Sequence, residues 1–120
     1  FALWDGRKRQ LYLARDRYGI KPLYYFKSDK ILVFASEIKS ILLHPEVKKK
    51  VNIDALNEYF TFQNIISDET LFDGIKILDA GTYLVFDSNS NQKVIYWDYN
   101  FNSDNFSLKK SECEEKIYFI

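Results

Sequence analysis

The chain has little of several residue types, and each shortage excludes a class of protein. It holds one cysteine in 120 residues, Cys113, so it forms neither an internal disulfide nor a cysteine-rich zinc site. Its 17 basic and 17 acidic residues cancel, whereas nucleic-acid-binding proteins usually carry a basic surface. No apolar stretch is long enough to span a bilayer, and no signal peptide is visible. These absences predict a cytoplasmic protein with neither a nucleic-acid nor a membrane partner.

Familiar catalytic signatures are also scarce. The sequence has no glycine-rich phosphate loop and no paired-histidine metal motif. The single histidine, His44, precedes a proline at a predicted helix end, which favours a surface or capping role. Ser36 and Lys39 match the Ser-x-x-Lys motif of penicillin-binding enzymes, but the Lys-Thr-Gly motif of those enzymes is missing. Cys113 lies among three glutamates whose charges oppose a thiolate, so we predict an ordinary thiol.

The sequence is instead rich in short apolar segments that are typical of strands. Apolar residues make up 47% of the chain, enough for a core. The predicted strands cover residues 1–4, 11–14, 23–26, 31–35, 82–86 and 93–97. Residues 61–78 are predicted to be mostly irregular. Hairpin-like strands with helices inserted between them indicate an α+β fold, with mainly antiparallel sheets and helices on one face.

Three helices are predicted from capping residues and from the spacing of apolar side chains. Ser36 is expected to cap the first helix and Asp54 the second. Ser111 and Glu114 match a capping box for the last helix. Spacings of three and four place three apolar side chains on the expected buried face of the second helix: Leu56, Tyr59 and Phe60.

Residues 15–22 form a predicted turn between two strands. Asp16 suits the first position of a tight turn, and Gly19 suits its last position. We therefore expect strands 11–14 and 23–26 to be antiparallel neighbours.

The charged pair at the start of this turn has two interpretations. In the structural one, the Asp16 carboxylate accepts hydrogen bonds from backbone N–H groups of the turn. Arg15 then binds either backbone carbonyls or a carboxylate, of which Glu37 is the leading candidate. In the functional interpretation, Arg15 and Asp16 clamp a substrate. Because an inward-pointing charge is costly unless it is paired, the sequence favours the structural brace.

Five segments in fixed order resemble glutamine-hydrolysing asparagine synthetases. The segments are FALWD at 1–5, LARDRYGIKPLYY at 13–25, FASEIKSIL at 34–42, LFDGIKIL at 71–78, and Tyr96-Trp97. The related amidophosphoribosyltransferases share the Arg-Asp turn and the Ala-Ser-Glu block, but the Leu-Tyr-Tyr continuation and Tyr96-Trp97 favour the synthetases. One departure is Ala80-Gly81, where the family usually has Pro-Gly.

The resemblance implies both a fold and a reaction for the parent protein. The fold is the four-layer αββα sandwich of N-terminal nucleophile hydrolases, which houses class II glutamine amidotransferase domains. An N-terminal cysteine attacks the amide of glutamine with its own α-amine as base. Ammonia then reaches a second domain, where ATP and Mg²⁺ have activated aspartate. Glutamine, aspartate and ATP are thus the implied partners, and a homodimer is compatible with the resemblance.

None of the reacting residues of that family falls within this sequence. We therefore assign no catalytic residue, no cofactor-binding residue and no metal ligand. Residues 1–98 are predicted to be the later part of the glutamine-hydrolysing domain, and residues 99–120 a linker and the start of the first synthetase helix. The chain would be scaffold, inactive alone. Two alternatives stay open: a non-catalytic assembly or regulatory domain, or a related amidotransferase acting on another acid.

Overall fold

A computed structural model describes residues 1–87, 91–100 and 109–118, the last three of these by their backbone only. These residues form seven strands and three helices. The strands are β1 (Ala2–Asp5), β2 (Gln10–Ala14), β3 (Tyr24–Lys27), β4 (Leu32–Ala35), β5 (Ile75–Ile77), β6 (Thr82–Phe86) and β7 (Asn91–Ile95). The helices are α1 (Ile38–Ile41), α2 (Ile53–Phe62) and α3 (Lys110–Tyr118). None of the helices in this part of the chain is long and apolar enough to cross a membrane.

The strands form two antiparallel sheets. The four-stranded sheet has the order β1-β2-β6-β7, and the three-stranded sheet has the order β4-β3-β5. In the first sheet, Leu13 of β2 lies opposite Leu84 of β6. In the second, Tyr25 of β3 lies between Phe34 of β4 and Lys76 of β5. The prediction of an α+β fold with mainly antiparallel sheets is confirmed.

Two apolar clusters define three layers. One cluster lies between the sheets and contains Leu13 and Leu84 of the first sheet and Tyr25 of the second. The other cluster lies on the opposite face of β3 and joins Tyr24 to Ile41 of α1. Because successive side chains of a strand point to opposite faces, the three-stranded sheet has the other sheet on one side and α1 on the other. The four-layer arrangement that the family implies stays a prediction.

One predicted strand pairing is wrong. β2 and β3 are not neighbours, because β2 pairs with β1 and β6 while β3 pairs with β4 and β5. β3 and β4 form a hairpin, and Ser28 closes its turn with a backbone bond from its N–H to the carbonyl of Ile31. Residues 15–22 therefore carry the chain from one sheet to the other.

The three predicted helix caps are each displaced by one or two residues. Glu37, not Ser36, is at the N-cap of α1, and its side chain makes no capping bond. Asn52 caps α2 by accepting hydrogen bonds from the N–H groups of Asp54 and Ala55. In α3, the Glu112 carboxylate accepts a bond from the Lys109 N–H, so the capping pair precedes the predicted Ser111 and Glu114 by two residues. At α2 the error arises because Asn52 and Asp54 are both preferred N-cap residues, whereas α1 begins after Glu37 although glutamate is not one.

The predicted buried face of α2 is also wrong. Ala55 is the residue that α2 buries, while Phe60 is 74% exposed and Tyr59 is 46% exposed. Spacing alone identified an apolar stripe on the helix, but it did not show which side of the helix would be buried.

Gly81 occupies the turn before β6, where backbone from three segments converges. Its N–H donates to the carbonyl of Asp16, and its own carbonyl accepts bonds from the N–H groups of Tyr96 and Trp97. Its φ of +62° is left-handed, and an added Cβ would collide with the carbonyl oxygen of Trp97. The structure therefore gives a steric reason for glycine at position 81.

We predict that Gly81→Ala lowers the free energy of unfolding by at least about 2 kcal/mol, because the left-handed backbone and the collision both oppose a Cβ. The control is Gly6→Ala, where the nearest heavy atom to an added Cβ is Trp4 Nε1 at 3.8 Å. Urea denaturation measures both variants. Equal effects of the two substitutions would contradict the role given to Gly81.

Candidate functional site

The Asp16 carboxylate organises the turn between the two sheets. It accepts hydrogen bonds from the backbone N–H groups of Tyr18 at 3.2 Å, Ile20 at 3.0 Å and Lys21 at 3.1 Å. These bonds, that from Lys21 foremost, lower the pKa of Asp16 below its ordinary value, although burial opposes them. The predicted acceptance of backbone N–H groups by Asp16 is confirmed.

The Arg15 guanidinium binds three backbone carbonyls. Its Nε donates to the Lys21 oxygen at 3.1 Å, Nη1 to the Leu78 oxygen at 2.7 Å, and Nη2 to the Gly19 oxygen at 2.7 Å. Of the two predicted kinds of partner, carbonyls are thus confirmed. The prediction of Glu37 as the leading carboxylate partner was wrong, because Glu37 Oε2 lies 2.6 Å from Lys39 Nζ.

Backbone bonds extend this arrangement, the Arg15/Asp16 brace, into both sheets. The Arg15 N–H donates to the carbonyl of Thr82 in β6, and the Leu78 N–H donates to the carbonyl of Leu23 before β3. The hydroxyl of Tyr96 donates to the Arg15 carbonyl at 2.7 Å. The prediction that residues 15 and 16 brace two neighbouring strands of one sheet is therefore wrong. The structure shows that they brace two different sheets.

A cavity of about 610 Å³ adjoins the brace. Its lining includes Lys21, Phe34, Ser36 and Tyr96 as well as Arg15. The Asp16 carboxylate is bound to N–H groups of the turn, and the Arg15 guanidinium to carbonyls of the turn and of Leu78, so both are already engaged. This geometry favours the structural interpretation of the pair over a substrate clamp.

The other candidate residues do not assemble into a catalytic site. Lys39 is hydrogen bonded to Glu37, which raises the pKa of the Lys39 ammonium and makes it a poor base for Ser36. His44 accepts a hydrogen bond from the Glu46 N–H through Nδ1, a local bond that follows α1 and does not cap it. Cys113 is an exposed residue of α3. Within the described ranges, no group of three histidine, cysteine or acidic side chains could hold a metal ion.

Sequence reasoning missed a charged cluster that also links the sheets. Lys76 of β5 lies 3.0 Å from Asp68 and 2.7 Å from Glu69. Lys93 of β7 lies 3.6 Å from Asp68 and 2.5 Å from Asp79. Asp68 therefore bridges a lysine of each sheet. No common spacing connects these five residues in the sequence, so no local pattern could have revealed them.

The electrostatics of this cluster favour a structural role. The hydrogen bond that Lys76 donates to Glu69 is the main cause that raises the pKa of Lys76, and the one that Lys93 donates to Asp79 is the main cause for Lys93. Burial raises the pKa of the neighbouring Tyr25 hydroxyl. Both lysines thus stay charged and the tyrosine stays neutral near neutral pH, so none of the three is suited to exchange protons with a substrate.

Comparison with known proteins identifies the class to which this domain belongs. The sequence profile of the family described as "Glutamine amidotransferase domain" matches residues 1–97, which contain both sheets and the Arg15/Asp16 brace. The chain therefore belongs to this family of glutamine amidotransferase domains.

Within that class, the chain is similar to asparagine synthetases. It is 38% identical over 98 residues to asparagine synthetase [glutamine-hydrolyzing] 3 of Bacillus subtilis, a match covering 81% of this chain and 16% of the relative. It is 35% identical over 102 residues to the putative asparagine synthetase 2 of Methanocaldococcus jannaschii, covering 82% and 20%. It is 36% identical over 121 residues to the amidase chry2 of Gibberella zeae, covering 98% and 17%. The chain thus spans a fifth or less of each relative.

We predict that Arg15→Lys lowers the free energy of unfolding by about 1–3 kcal/mol, because one ammonium cannot reproduce the three-carbonyl geometry. Arg17→Lys, at an exposed position of the same turn, is the matched control and should be close to neutral. Thermal and urea unfolding compare the two. A neutral Arg15→Lys would show that the guanidinium does not join the sheets.

We also predict that Asp16→Asn changes how stability depends on pH. Because the folded-state pKa of Asp16 lies below the ordinary aspartate value of 3.8, its carboxylate stabilises the fold above that pH, and the contribution is lost as pH falls through the folded pKa. The difference between parent and variant should therefore be largest near neutral pH and shrink in acid. Urea unfolding at a series of pH values measures it, with the exposed Asp29→Asn as control. A difference independent of pH would contradict the role of the charge.

Proposed function

We propose that this chain is the scaffold part of a glutamine-hydrolysing domain that supplies ammonia to a second, amide-forming domain. The observation that carries the proposal is the family match over residues 1–97. The chemistry requires a nucleophile, and the only cysteine, Cys113, lies outside the matched residues and among acidic neighbours. Residues 1–97 would therefore hold the sheets in place, and the reacting groups would belong to other parts of the protein.

The brace gives this scaffold role a physical basis. It ties the end of β2, the turn that leads to β3 and the segment after β5 to one guanidinium and one carboxylate. Catalytic groups must be held within a fraction of an ångström, and rigid sheet ends provide that support. We infer that the brace orients the end of the sheets at which glutamine is hydrolysed.

Aspartate, ATP and Mg²⁺ are proposed as reactants of the whole protein. The described residues do not fit ATP with its metal, because they contain no metal-ligand cluster and the sequence has no glycine-rich phosphate loop. Binding of these groups is therefore proposed for another part of the protein. A cytoplasmic location and a homodimer likewise stay predictions.

A second candidate differs in the acceptor acid. The relative from Gibberella zeae is named an amidase, and its identity of 36% is close to that of the asparagine synthetases. Because not every relative of similar identity is named an asparagine synthetase, we keep as the alternative a family member that acts on a carboxylic acid other than aspartate. The sequence that follows this domain would distinguish the two candidates, and the sequence that precedes it would show whether the nucleophilic cysteine is present.

We predict that the purified 120-residue chain releases no glutamate from glutamine, because it lacks the nucleophile. An enzyme-coupled glutamate assay measures this, and Cys113→Ser should match the parent in both assay and thermal unfolding. Glutamate release that persists through repurification and disappears in Cys113→Ser would make Cys113 a nucleophile and overturn the scaffold proposal.

A further inference from the structure

Helix α2 presents an apolar stripe to solvent. Ile53 is 60% exposed and Phe60 is 74% exposed, and the half-buried Leu56 lies between them. Their spacings of three and four residues place all three on one side of the helix. Ala55, only 1% exposed, lies towards the opposite side and faces the protein. We call Ile53, Leu56 and Phe60 the α2 stripe.

The α2 stripe is held in a fixed position. The Asn52 side chain caps the helix and also donates to Glu69 at 3.1 Å, while the Asn52 N–H donates to the carbonyl of Leu71. Towards its other end, the Glu58 carboxylate accepts bonds from the N–H groups of Ile66 and Ser67 at 2.8 and 2.9 Å. Such preorganisation lowers the entropic cost of binding to an apolar surface.

The charges of α2 narrow the choice of what it binds. The helix contains Asp54 and Glu58 but no lysine or arginine. A helix that lies on an anionic lipid surface carries basic residues on its polar face, so a membrane surface is disfavoured. An uncharged stripe with a protruding phenylalanine fits a groove between apolar side chains of another protein domain.

We propose that the α2 stripe docks a further domain of the same polypeptide, the amide-forming domain of the proposed function, on which this inference rests. The family match includes α2, and the chain spans only 16% of the Bacillus subtilis relative, so proteins of this kind carry large additional parts. Phe60 is the central anchor, and Ile53 and Leu56 complete the contact.

The test uses the full-length polypeptide that contains this chain. Ile53→Gln/Phe60→Gln removes the apolar contact and adds no charge, and glutamine is a good helix former. Ile95→Gln is the matched control, because Ile95 is 66% exposed but lies on β7 of the four-stranded sheet. Limited proteolysis on the C-terminal side of residue 97 measures domain docking, and glutamate release measures glutamine hydrolysis.

We expect the double variant to be cleaved about tenfold faster or more, with glutamate release within about twofold of the parent, because each lost apolar anchor weakens docking. The control, and Phe60→Leu, should be cleaved at the parent rate.

A double variant cleaved no faster than the parent overturns the inference, as does a Phe60→Leu cleaved as fast as the double variant. Conversion of a dimer to a monomer with unchanged cleavage would assign the stripe to a second copy and also overturn it. A parent that releases no glutamate refutes the proposed function, while the cleavage rates still test docking.

Discussion

The relative position of the two sheets depends on the hydrogen bonds of one guanidinium group. Arg15 follows β2, yet it binds a carbonyl from the segment after β5 and two carbonyls that precede β3. Carbonyls at a sheet end are costly to leave unpaired once water is excluded, and the planar fork of arginine reaches several at fixed angles. Asp16 complements it by satisfying the N–H groups of the same turn. Together they replace the ladder bonds that β2 and β3, being in different sheets, cannot make with each other.

The local chemistry of this region could be predicted from the sequence, whereas its place in the sheet topology could not. Acceptance of backbone N–H groups by Asp16 follows from the short reach of an aspartate side chain in a turn. The bounds of β6 were also predicted, because Gly81 and a polar segment flank a short apolar run. The pairing of β2 with β6 joins residues 69 to 75 positions apart, and strand order of that kind leaves no periodicity to detect.

The errors at α2 and at the charged cluster have a common physical cause. An apolar stripe indicates that one side of a helix is covered. The same spacing is expected whether a sheet, a second domain or another copy of the chain covers it. Similarly, Asp68 meets Lys76 and Lys93 only because two sheets bring them together. The family resemblance was not affected by these errors, because it identified the class of protein from sequence segments and did not depend on the strand order. It did not indicate that the Arg15 guanidinium would bind carbonyls alone.

The order of the strands along the sequence has a consequence for the order of folding. All three strands of the smaller sheet lie in the sequence between β2 and β6, which are neighbours in the larger one. Closing β2 against β6 therefore encloses the whole smaller sheet in a single loop, and the entropic cost of that closure falls if the loop has already collapsed. On a ribosome, β3 and β4 emerge as a local hairpin long before β6 is synthesised. We therefore expect the β3–β4 hairpin to form early and the pairing of β2 with β6, which closes the longest loop, to form late.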